Sequence, residues 1–517
     1  MATVIGPDLL PLLEAAVGCA GLITDTDECE FYAQDVFVRG PAPLAVIRPD
    51  GKEALARAVG LATDRGIAII PRGGGMSYTG GYVAPSPGAL IVDLGRMDRI
   101  LAINETDMTA TVEAGCTWAA LQAALKPRRL RALAWGTLSG VKATIGGGMS
   151  QNGVFWGARD GTVVDGAIRF EVVLADGSIV STGSDFFRPF GPDLTAIFAA
   201  DNGALGIKAT ATLQLVREGE AFAYGSYAFD DADAFLGAMS DVAREGLASE
   251  GFGFDPFLQA QRMKRDSFAK DAKSLLNMMK AQGSAWKAVK EGARVVAAGR
   301  SFLSDAGFSL HVICEGRHQA AVDADLETIG GIAATHGGRP VENSIPKILR
   351  ANAFPPVNSM VGPDGERWVP VHGFLPHSRL GEGWRRIQAL FAGHQQEMES
   401  LGVGAGAMFA AVSRSACLIE PVFFWPDALE EIHRRSVEPA HLAGLKSFAA
   451  NVEARTLVER LRAAIVDLFS DLGATHLQVA RTYKLKEAHG RGAWAILQAV
   501  KHAVDPKNLM NPGSLGL

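Results

Sequence analysis

The sequence predicts an α+β protein with more than one domain, and three features of its 517 residues lead to that prediction. A strand at 44–48, a helix from 52 to 65 and a second strand at 67–70 make a β-α-β unit. Three glycine-rich clusters each adjoin a predicted strand. After Glu218 the pattern changes to repeated units of one strand and one amphipathic helix. A chain of this length has room for two or three domains.

Composition excludes several classes of protein. The 48% hydrophobic and 21% charged residues are typical of a globular protein. A net charge of −6 gives no reason to expect nucleic-acid binding, and no apolar stretch approaches the roughly 20 residues of a membrane span. Five scattered cysteines, with no C-x-x-C pair, indicate thiols in a reducing compartment and no zinc site. We therefore expect a cytoplasmic protein with no transmembrane segment.

The first glycine cluster, PRGGGMSYTGG at 71–81, directly follows a predicted strand. Successive glycine amides can form a concave nest that a phosphate approaches closely, without positive side chains. In a Rossmann site the glycines lead from a strand into a helix, whereas here another strand follows and Pro85 and Pro87 prevent an immediate helix. A lone GGG is also typical of an ordinary turn. The cluster is therefore less consistent with NAD than with another ligand that contains a pyrophosphate.

Two further clusters support a ligand. The cluster at 142–166 precedes a strand at 168–180 that an Asp176-Gly177 hairpin turn interrupts, and the cluster at 200–216 runs into an alternating strand. Three clusters beside strands predict one extended ligand lying across a sheet edge. Residues 24–40, which carry three aspartates, are predicted as a loop.

Five segments in order carry a resemblance to a known family: PRGGGMSYTGG, ATIGGGMSQNG, EVVLADGS, NGALGIKATATL and DPKNLMNPGSLGL. They resemble the flavin domain of the vanillyl-alcohol oxidase and p-cresol methylhydroxylase (PCMH) superfamily, which includes glycolate-oxidase-type and D-lactate-dehydrogenase-type flavoenzymes. The resemblance implies a PCMH-type FAD-binding fold of two α/β subdomains at 1–217, with 477–517 returning to it. It also implies an α+β cap domain over the flavin at 218–476.

The same resemblance implies which residues hold the FAD. Backbone amides of the first loop would contact the pyrophosphate, the second cluster would flank the pyrophosphate and ring, the third would lie beside the adenosine half, and the C-terminal MNPG would close the site. These residues are Gly73, Gly74, Gly75, Met76 and Ser77; Thr144, Gly147, Gly148, Gln151 and Asn152; Gly206 and Ile207; and Asn511. Relatives that bind flavin covalently through this loop have histidine where Met76 stands, so we expect non-covalent FAD. Attachment through the cap stays open.

Four residues are candidates for catalysis. Arg481 matches an arginine that binds the phenolate in phenol-oxidising relatives, but Ala480 and Thr79 replace its tyrosine neighbours, which leaves room for a carboxylate. His372 is a candidate base or substrate contact, since histidine titrates near neutrality. Glu420 interrupts an apolar strand, which indicates a buried ion pair or a role in the site. Tyr483, near Arg481, is a weaker candidate for which packing is the alternative.

A metal site is not predicted. Relatives of the D-2-hydroxyacid branch carry H-x-G-D-G-N-x-H, and the VHGFLPHS segment lacks both the GDGN core and its spacing. A basic, methionine-rich segment at 262–294 is predicted to be helical, either as a solvated excursion or as a surface for a membrane or an electron-accepting partner.

The resemblance implies an FAD-dependent oxidase or dehydrogenase acting on CH–OH groups, with hydride passing to flavin N5 from the hydroxyl-bearing carbon of a small 2-hydroxy acid. Two alternatives stay open. One is oxidation of a 4-hydroxybenzylic alcohol or alkylphenol, and the other is a non-redox FAD protein of the same fold. The final electron acceptor, oxygen or a protein, is also open. Many relatives are dimers, so a homodimer is a candidate assembly.

Overall fold

The computed structural model describes residues 9–264 and 307–517. Most of the basic segment predicted at 262–294 therefore lies outside the described residues. The chain divides into two units, which we call unit 1 and unit 2. Unit 1 runs to Val154 and continues through Thr162–Glu218 and His476–Leu517, and unit 2 comprises Phe155–Gly161 and Gly219–Thr475. Both mix helices and strands, as the α+β prediction requires.

The first sheet of unit 1 contains the predicted β-α-β unit. Its strands are β1 (Leu22–Ile23), β2 (Ala45–Ile47), β3 (Ile69–Arg72) and β4 (Leu90–Asp93), in the order β1-β2-β4-β3. Strands β2, β4 and β3 are parallel, and β1 is antiparallel to β2. All residues of β2 and β4 are buried, which is typical of a parallel sheet covered on both faces. The prediction of this unit is confirmed.

The second sheet of unit 1 is antiparallel throughout. Its strands are β5 (Ile100–Asn104), β6 (Thr109–Glu113), β7 (Leu130–Ala132), β8 (Ala167–Val173), β9 (Ile179–Ser181) and β10 (Ile207–Arg217). The order is β5-β6-β10-β8-β9, with β7 also paired to β10. The predicted turn between β8 and β9 is present, with Gly177 at φ 79°, a conformation that favours glycine.

The helices of unit 1 cover these sheets and extend through the C-terminal return. They are Leu9–Val17, Thr26–Tyr32, Lys52–Asp64, Trp118–Leu125, Ile145–Gln151, Leu194–Phe198, Leu485–Ala488 and Arg491–Val504. Two of these helices lie in stretches that were predicted as a loop or described as a glycine cluster. The helix Thr26–Tyr32 lies in the stretch predicted as a loop, and Asp25 caps it by accepting a hydrogen bond from the Glu28 amide. The helix Ile145–Gln151 lies within the second glycine cluster.

Unit 2 is built on one eight-stranded antiparallel sheet. Its strands are β11 (Ala221–Phe229), β12 (Glu250–Phe254), β13 (Phe308–Gly316), β14 (Arg339–Pro340), β15 (Arg367–Pro370), β16 (Gly373–Pro376), β17 (Gly404–Val412) and β18 (Ala416–Trp425). The order is β14-β11-β13-β12-β17-β18-β15, and β16 also pairs with β18. In the described part of unit 2 the helices are Ala232–Glu245, Pro256–Met263, Gln319–Thr335, Ser344–Ala351, His377–Gly393, Gln395–Leu401, Glu431–Ser436, Pro439–Leu442 and Val452–Asp471.

The two faces of the unit 2 sheet have different surroundings. On one face the ring of Phe235, from the helix Ala232–Glu245, packs against Phe308 and Phe409 at ring-centre distances of 5.4 and 5.0 Å. Because side chains alternate along a strand, the residues next to these two point to the opposite face. That second face carries Phe254, His311 and Glu420, together with other aromatic and polar side chains. Among the described residues, none of the helices has both the length and the apolar character that crossing a bilayer requires.

Candidate functional site

The first glycine loop follows β3 and lies very close to its neighbouring backbone. A Cβ atom at Gly73 would lie 2.4 Å from Oγ1 of Thr144, and one at Gly74 would lie 1.9 Å from the carbonyl oxygen of Lys142. A side chain at Gly74 would therefore force the backbone to move, and one at Gly73 would displace the Thr144 side chain. Both glycines are half-buried. Because glycine has no side chain, a phosphate can approach the main-chain N–H groups of such a loop closely.

The second glycine cluster is a short helix whose glycines have packing roles. Thr144 caps it by accepting a hydrogen bond from the Gly147 amide at 3.2 Å. A Cβ atom at Gly148 would lie 2.9 Å from the indole nitrogen of Trp118, so this glycine lets the helix approach a buried tryptophan. The predicted cofactor contacts of Gly147 and Gly148 stay predictions, and packing alone explains why position 148 is glycine.

Three buried polar atoms near the ends of these segments have no hydrogen-bond partner among the described residues. They are Oε1 of Gln151, Oδ1 of Asn152 and Nε of Arg481. The side-chain amide nitrogen of Gln151 donates to Oδ1 of Asn202. The main-chain carbonyl oxygen of Gln151 accepts from the main-chain amide of Gln478 at 2.6 Å. Buried polar atoms are rarely left unsatisfied unless a ligand or water supplies the partner. Together with the bare glycine loop, they fit a polar cofactor.

Asn511 ties the C-terminal segment to the glycine loop. Its side-chain nitrogen donates to the carbonyl oxygens of Gly81 and Asn202 at 2.8 and 2.7 Å, and its Oδ1 accepts from Arg481 at 2.7 Å. The residue is fully buried and has a positive φ of 44°. These contacts give Asn511 a clear structural role, and its predicted position beside the flavin ring stays a prediction.

Arg481 belongs to the same network. Its Nη1 donates to the carbonyl oxygen of Gly80 at 2.5 Å, and its Nη2 donates to Asn511 and to the carbonyl oxygen of Pro512 at 2.9 Å. Burial lowers its pKa to about 10, so the guanidinium keeps its charge at neutral pH. Both terminal nitrogens already have protein acceptors. The predicted role as substrate anchor is untested, and these contacts favour a role in holding the glycine loop.

The other predicted cofactor residues lie in the loop after β3 and at the start of β10. Ser77 donates to Oε1 of Gln478 at 3.0 Å, and Met76 beside it is half-buried. Gly75 has a positive φ of 70°, which favours glycine. A Cβ atom at Gly206 would lie 2.5 Å from a methyl group of Val172, and Ile207 is buried at the start of β10. Tyr483 stacks on His476 at a ring-centre distance of 4.0 Å, which supports packing.

Glu420 and His372 come together in unit 2. Glu420 lies on β18 and is half-buried, and burial raises the pKa of its carboxyl to about 7, although the nearby Arg262 guanidinium lowers it. His372 lies fully buried in the link between β15 and β16. Strands β15 and β16 pair with β18 in one and the same register. Continued through the link between them, that register places His372 opposite Glu420.

His311 is a buried polar residue of the same sheet that the sequence reasoning missed. Its Nδ1 lies 2.8 Å from Oγ of Ser226, its Nε2 lies 3.1 Å from Oγ of Ser309, and Phe252 and Phe254 pack against its ring. Burial lowers its pKa to about 3, so the ring is neutral at physiological pH. A histidine within the apolar strand FSLHVIC was the available signal, but neither serine partner could be assigned from it. Within residues 9–264 and 307–517, no group of three or more His, Cys, Asp or Glu could hold a metal ion.

Family models match two parts of the chain. The FAD binding domain matches residues 43–183, which include the glycine loop and the helix Ile145–Gln151, and the C-terminal domain of FAD linked oxidases matches residues 442–515. Glycolate oxidase subunit GlcD of Bacillus subtilis is 32% identical over 203 residues, 39% of this chain and 43% of that protein. D-2-hydroxyglutarate dehydrogenase of Stutzerimonas stutzeri is 28% identical over 241 residues, 46% of this chain and 52% of that protein. The chain thus matches about half the length of these curated relatives.

Solved structures match almost the whole chain. p-Cresol methylhydroxylase with substrate bound gives a TM-score of 0.71 at 18% identity, covering 99% of this chain and 96% of that one. Alkyldihydroxyacetonephosphate synthase gives 0.70 at 16% identity, covering 98% and 86%. At these identities the likeness establishes the fold, which confirms the predicted PCMH-type architecture. The chain therefore combines a match to an FAD binding domain and a match to the C-terminal domain of FAD linked oxidases with the fold of p-cresol methylhydroxylase.

Proposed function

We propose that the protein is an FAD-linked oxidoreductase that oxidises the hydroxyl-bearing carbon of a small anionic substrate of the 2-hydroxy acid type. The observation that carries this proposal is the bare glycine loop beside the unpartnered buried atoms of Gln151, Asn152 and Arg481. The glycine loop, Gln151 and Asn152 lie within the matched FAD binding domain, and Arg481 lies outside it. When bound, FAD supplies the acceptor for two electrons.

Within this proposal, unit 1 holds the cofactor and unit 2 is the cap that provides the substrate surface. The loop Gly73–Ser77 contacts the pyrophosphate through its backbone, and Gln151 and Asn152 offer unpaired side-chain oxygens. FAD is held without a covalent bond through this loop, because methionine occupies position 76. The test is acid precipitation, which releases non-covalent flavin into the supernatant. Flavin that stays with the precipitate, on the peptide that contains Met76, contradicts the proposal.

Glu420 takes the proton in the proposed reaction. Oxidation of CH–OH to C=O breaks one C–H and one O–H bond, so a hydride leaves the carbon and a proton leaves the oxygen. A carboxyl whose pKa is raised to about 7 is available in both protonation states at neutral pH, which suits a general base. His372, across the sheet from it by register, positions the carboxylate or contacts the substrate.

Charge and the matched relatives support an anionic hydroxy acid as the substrate. The Arg262 guanidinium lies 4.2 Å from the centre of the Phe254 ring and acts electrostatically on both Glu420 and His311. Since the terminal nitrogens of Arg481 already have protein acceptors, Arg262 is a second candidate for the contact with a substrate carboxylate. Two matched relatives are named for hydroxy acids, glycolate and D-2-hydroxyglutarate.

Two alternatives have support of their own. Oxidation of a phenol or alkylphenol is favoured by the similarity to p-cresol methylhydroxylase and to the 4-ethylphenol oxidase of Gulosibacter chungangensis, the latter at a TM-score of 0.67. A reaction without net oxidation is favoured by the similarity to alkyldihydroxyacetonephosphate synthase. The cytoplasm is the proposed location, supported by five cysteines that are all free thiols. Oxygen or an electron-accepting protein is the proposed final acceptor, and a homodimer is the proposed assembly.

The test is anaerobic mixing of the FAD-loaded protein with separate panels of 2-hydroxy acids and 4-alkylphenols. We expect a 2-hydroxy acid to bleach the visible band of the oxidised flavin within one turnover. Bleaching by phenols alone would select the first alternative. A stable flavin that no member of either panel bleaches would contradict oxidation and favour the second.

A further inference from the structure

Arg72 is the last residue of β3 and stands directly before the glycine loop. Its side chain is 7% exposed. The guanidinium carbon lies 4.8, 4.5 and 5.5 Å from the ring centres of Phe31, Tyr32 and Tyr82. Three aromatic rings therefore hold a positive charge inside unit 1.

Nothing in the described part of the chain supplies this guanidinium with an acceptor. Its buried Nε has no hydrogen-bond partner, and its terminal nitrogens form neither a hydrogen bond nor an ion pair with residues 9–264 or 307–517. Two carboxylates of this region are engaged elsewhere. Asp93 accepts from the hydroxyl of Tyr32 at 2.6 Å, and Asp35 accepts from the amide of Gly80 at 2.7 Å.

A buried arginine whose guanidinium has no acceptor is expected to bind an anion. Arginine stays protonated when buried, and contact with aromatic faces offsets the cost of removing its charge from water only in part. Its planar fork of N–H groups matches the oxygens of a phosphate. The missing acceptor is therefore expected to be an anionic group of a ligand.

The position of the Arg72 guanidinium indicates which anionic group of the ligand it would contact. A Cβ atom at Gly75 would lie 2.6 Å from Nη2 of Arg72, so the guanidinium rests against the glycine loop itself. The positive φ of Gly75 and the absence of a side chain there keep this space open. Any larger residue at position 75 would displace the guanidinium.

We propose that Arg72 binds the pyrophosphate of FAD and provides the positive charge for the glycine loop. This inference rests on the proposed function for the identity of the cofactor, but not for the substrate or the reaction. It also revises the expectation that the loop binds pyrophosphate without a positive side chain.

Binding measurements test this role without any substrate. The variant is Arg72→Met, which fills the aromatic pocket without charge, and the control is Arg65→Gln, an exposed arginine of the same unit. FAD is titrated into the apoprotein, and ADP, which carries a pyrophosphate but no flavin, is measured as a competitor. We expect Arg72→Met to weaken both ligands by about ten- to a hundredfold, the range for a charge-assisted hydrogen bond. The control should bind as the wild type does, and Arg72→Lys should fall between.

Thermal unfolding of the apoprotein provides the second readout. Because Arg72→Met removes a buried charge that lacks an acceptor, we expect the Tm of the apoprotein to be unchanged or raised. A purely structural arginine would give a lower Tm and normal FAD affinity in the folded fraction, and that result would overturn the proposal. Unchanged affinity for both ligands, or loss of FAD with ADP unaffected, would overturn it as well.

The same measurements separate this proposal from the proposed function. If the wild type binds FAD but no substrate bleaches the flavin, the proposed oxidation is wrong. The affinities of Arg72→Met for FAD and for ADP still decide the role of Arg72. If the wild type binds neither FAD nor ADP, the cofactor site and the role of Arg72 fail together.

Discussion

Asp255 is a carboxyl group held where ionisation is costly. It caps the helix Pro256–Met263 by accepting from the Leu258 amide at 2.8 Å, yet burial raises its pKa from 3.8 to about 7. The folded pKa is the higher one, so the stability that this group contributes is complete below pH 3.8. It is lost as the pH rises through 7.

Asp255→Asn should therefore stabilise unit 2 at high pH. Asparagine keeps the acceptor of the cap but carries no charge, so we expect the free energy of unfolding at pH 8 to rise by about 1–3 kcal/mol relative to the wild type. At pH 5, where the carboxyl is largely protonated, the change should be much smaller. Urea denaturation at both pH values measures it. The control is Asp231→Asn, an exposed cap with the same geometry, and a gain of equal size at pH 5 and pH 8 would contradict the burial argument.

Glu420 should control the pH dependence of the proposed oxidation. A base must be deprotonated, so the rate of flavin reduction should rise with pH through about 7. Glu420→Gln should lower that rate by about 10²–10⁴-fold and remove the rise, while FAD binding is retained. Stopped-flow absorbance across pH 5–9 measures both, with the exposed Glu327→Gln as control. An unchanged pH profile in Glu420→Gln would assign the proton to another group.

Arg481→Met separates the two roles considered for that residue. Removing the guanidinium leaves the carbonyl oxygens of Gly80 and Pro512 without their donor, so we expect a loss of about 2–4 kcal/mol in unfolding free energy and weaker retention of FAD. Chemical denaturation and flavin fluorescence measure these effects. Normal stability and normal FAD binding, combined with a raised KM for the substrate, would restore the predicted role as substrate anchor.

Single residues differ in how far the sequence could predict them. Glu420 was a candidate from the sequence because a carboxylate within an apolar strand is costly and needs an explanation. The contacts of Arg481 were not predictable, since its acceptors include Gly80, 401 residues away along the chain. Arg72 was overlooked because its aromatic neighbours come from a stretch predicted as a loop and from the far end of the glycine segment.

At the scale of elements, the glycine loop after β3 depends on close approach of two backbones. Gly74→Ala would place a methyl group 1.9 Å from the carbonyl oxygen of Lys142, so the loop must move. We expect FAD affinity to fall at least about tenfold, together with a loss of stability. Fluorescence titration with FAD and thermal denaturation measure the two effects.

The matched control for this prediction is Gly492→Ala. Gly492 lies exposed near the start of the helix Arg491–Val504, with no atom within 4 Å of an added Cβ. Alanine there should stabilise the protein by about 0.5–1 kcal/mol through helix propensity. If Gly74→Ala bound FAD as tightly as Gly492→Ala, the loop would not form the cofactor site.

The strands were easier to predict than two of the helices. Continuous apolar runs identified β2, β3 and β4 because both faces of a parallel sheet are buried. The helix Ile145–Gln151 contains three glycines in seven residues, which propensity disfavours. It forms in the structure because Thr144 caps it and because the glycines let it approach Trp118 and Ala114 closely. Tertiary packing therefore overrides local preference here.

At the scale of the whole molecule, the order of the five motifs was sufficient to predict the PCMH-type fold. The strand order of the unit 2 sheet was not predictable. Its central neighbours, β13, β12 and β17, are far apart in sequence, and their pairing depends on long-range packing. In the proposed function the substrate contacts lie on that sheet, so the sequence alone left hydroxy acid and phenol open.

The FAD content of the purified protein decides whether unit 1 binds the proposed cofactor. The protein is incubated with FAD, free flavin is removed, and bound flavin is measured by absorbance after acid release. We expect one FAD per chain, released by acid because no covalent bond holds it. A protein that stays colourless after this treatment would contradict it.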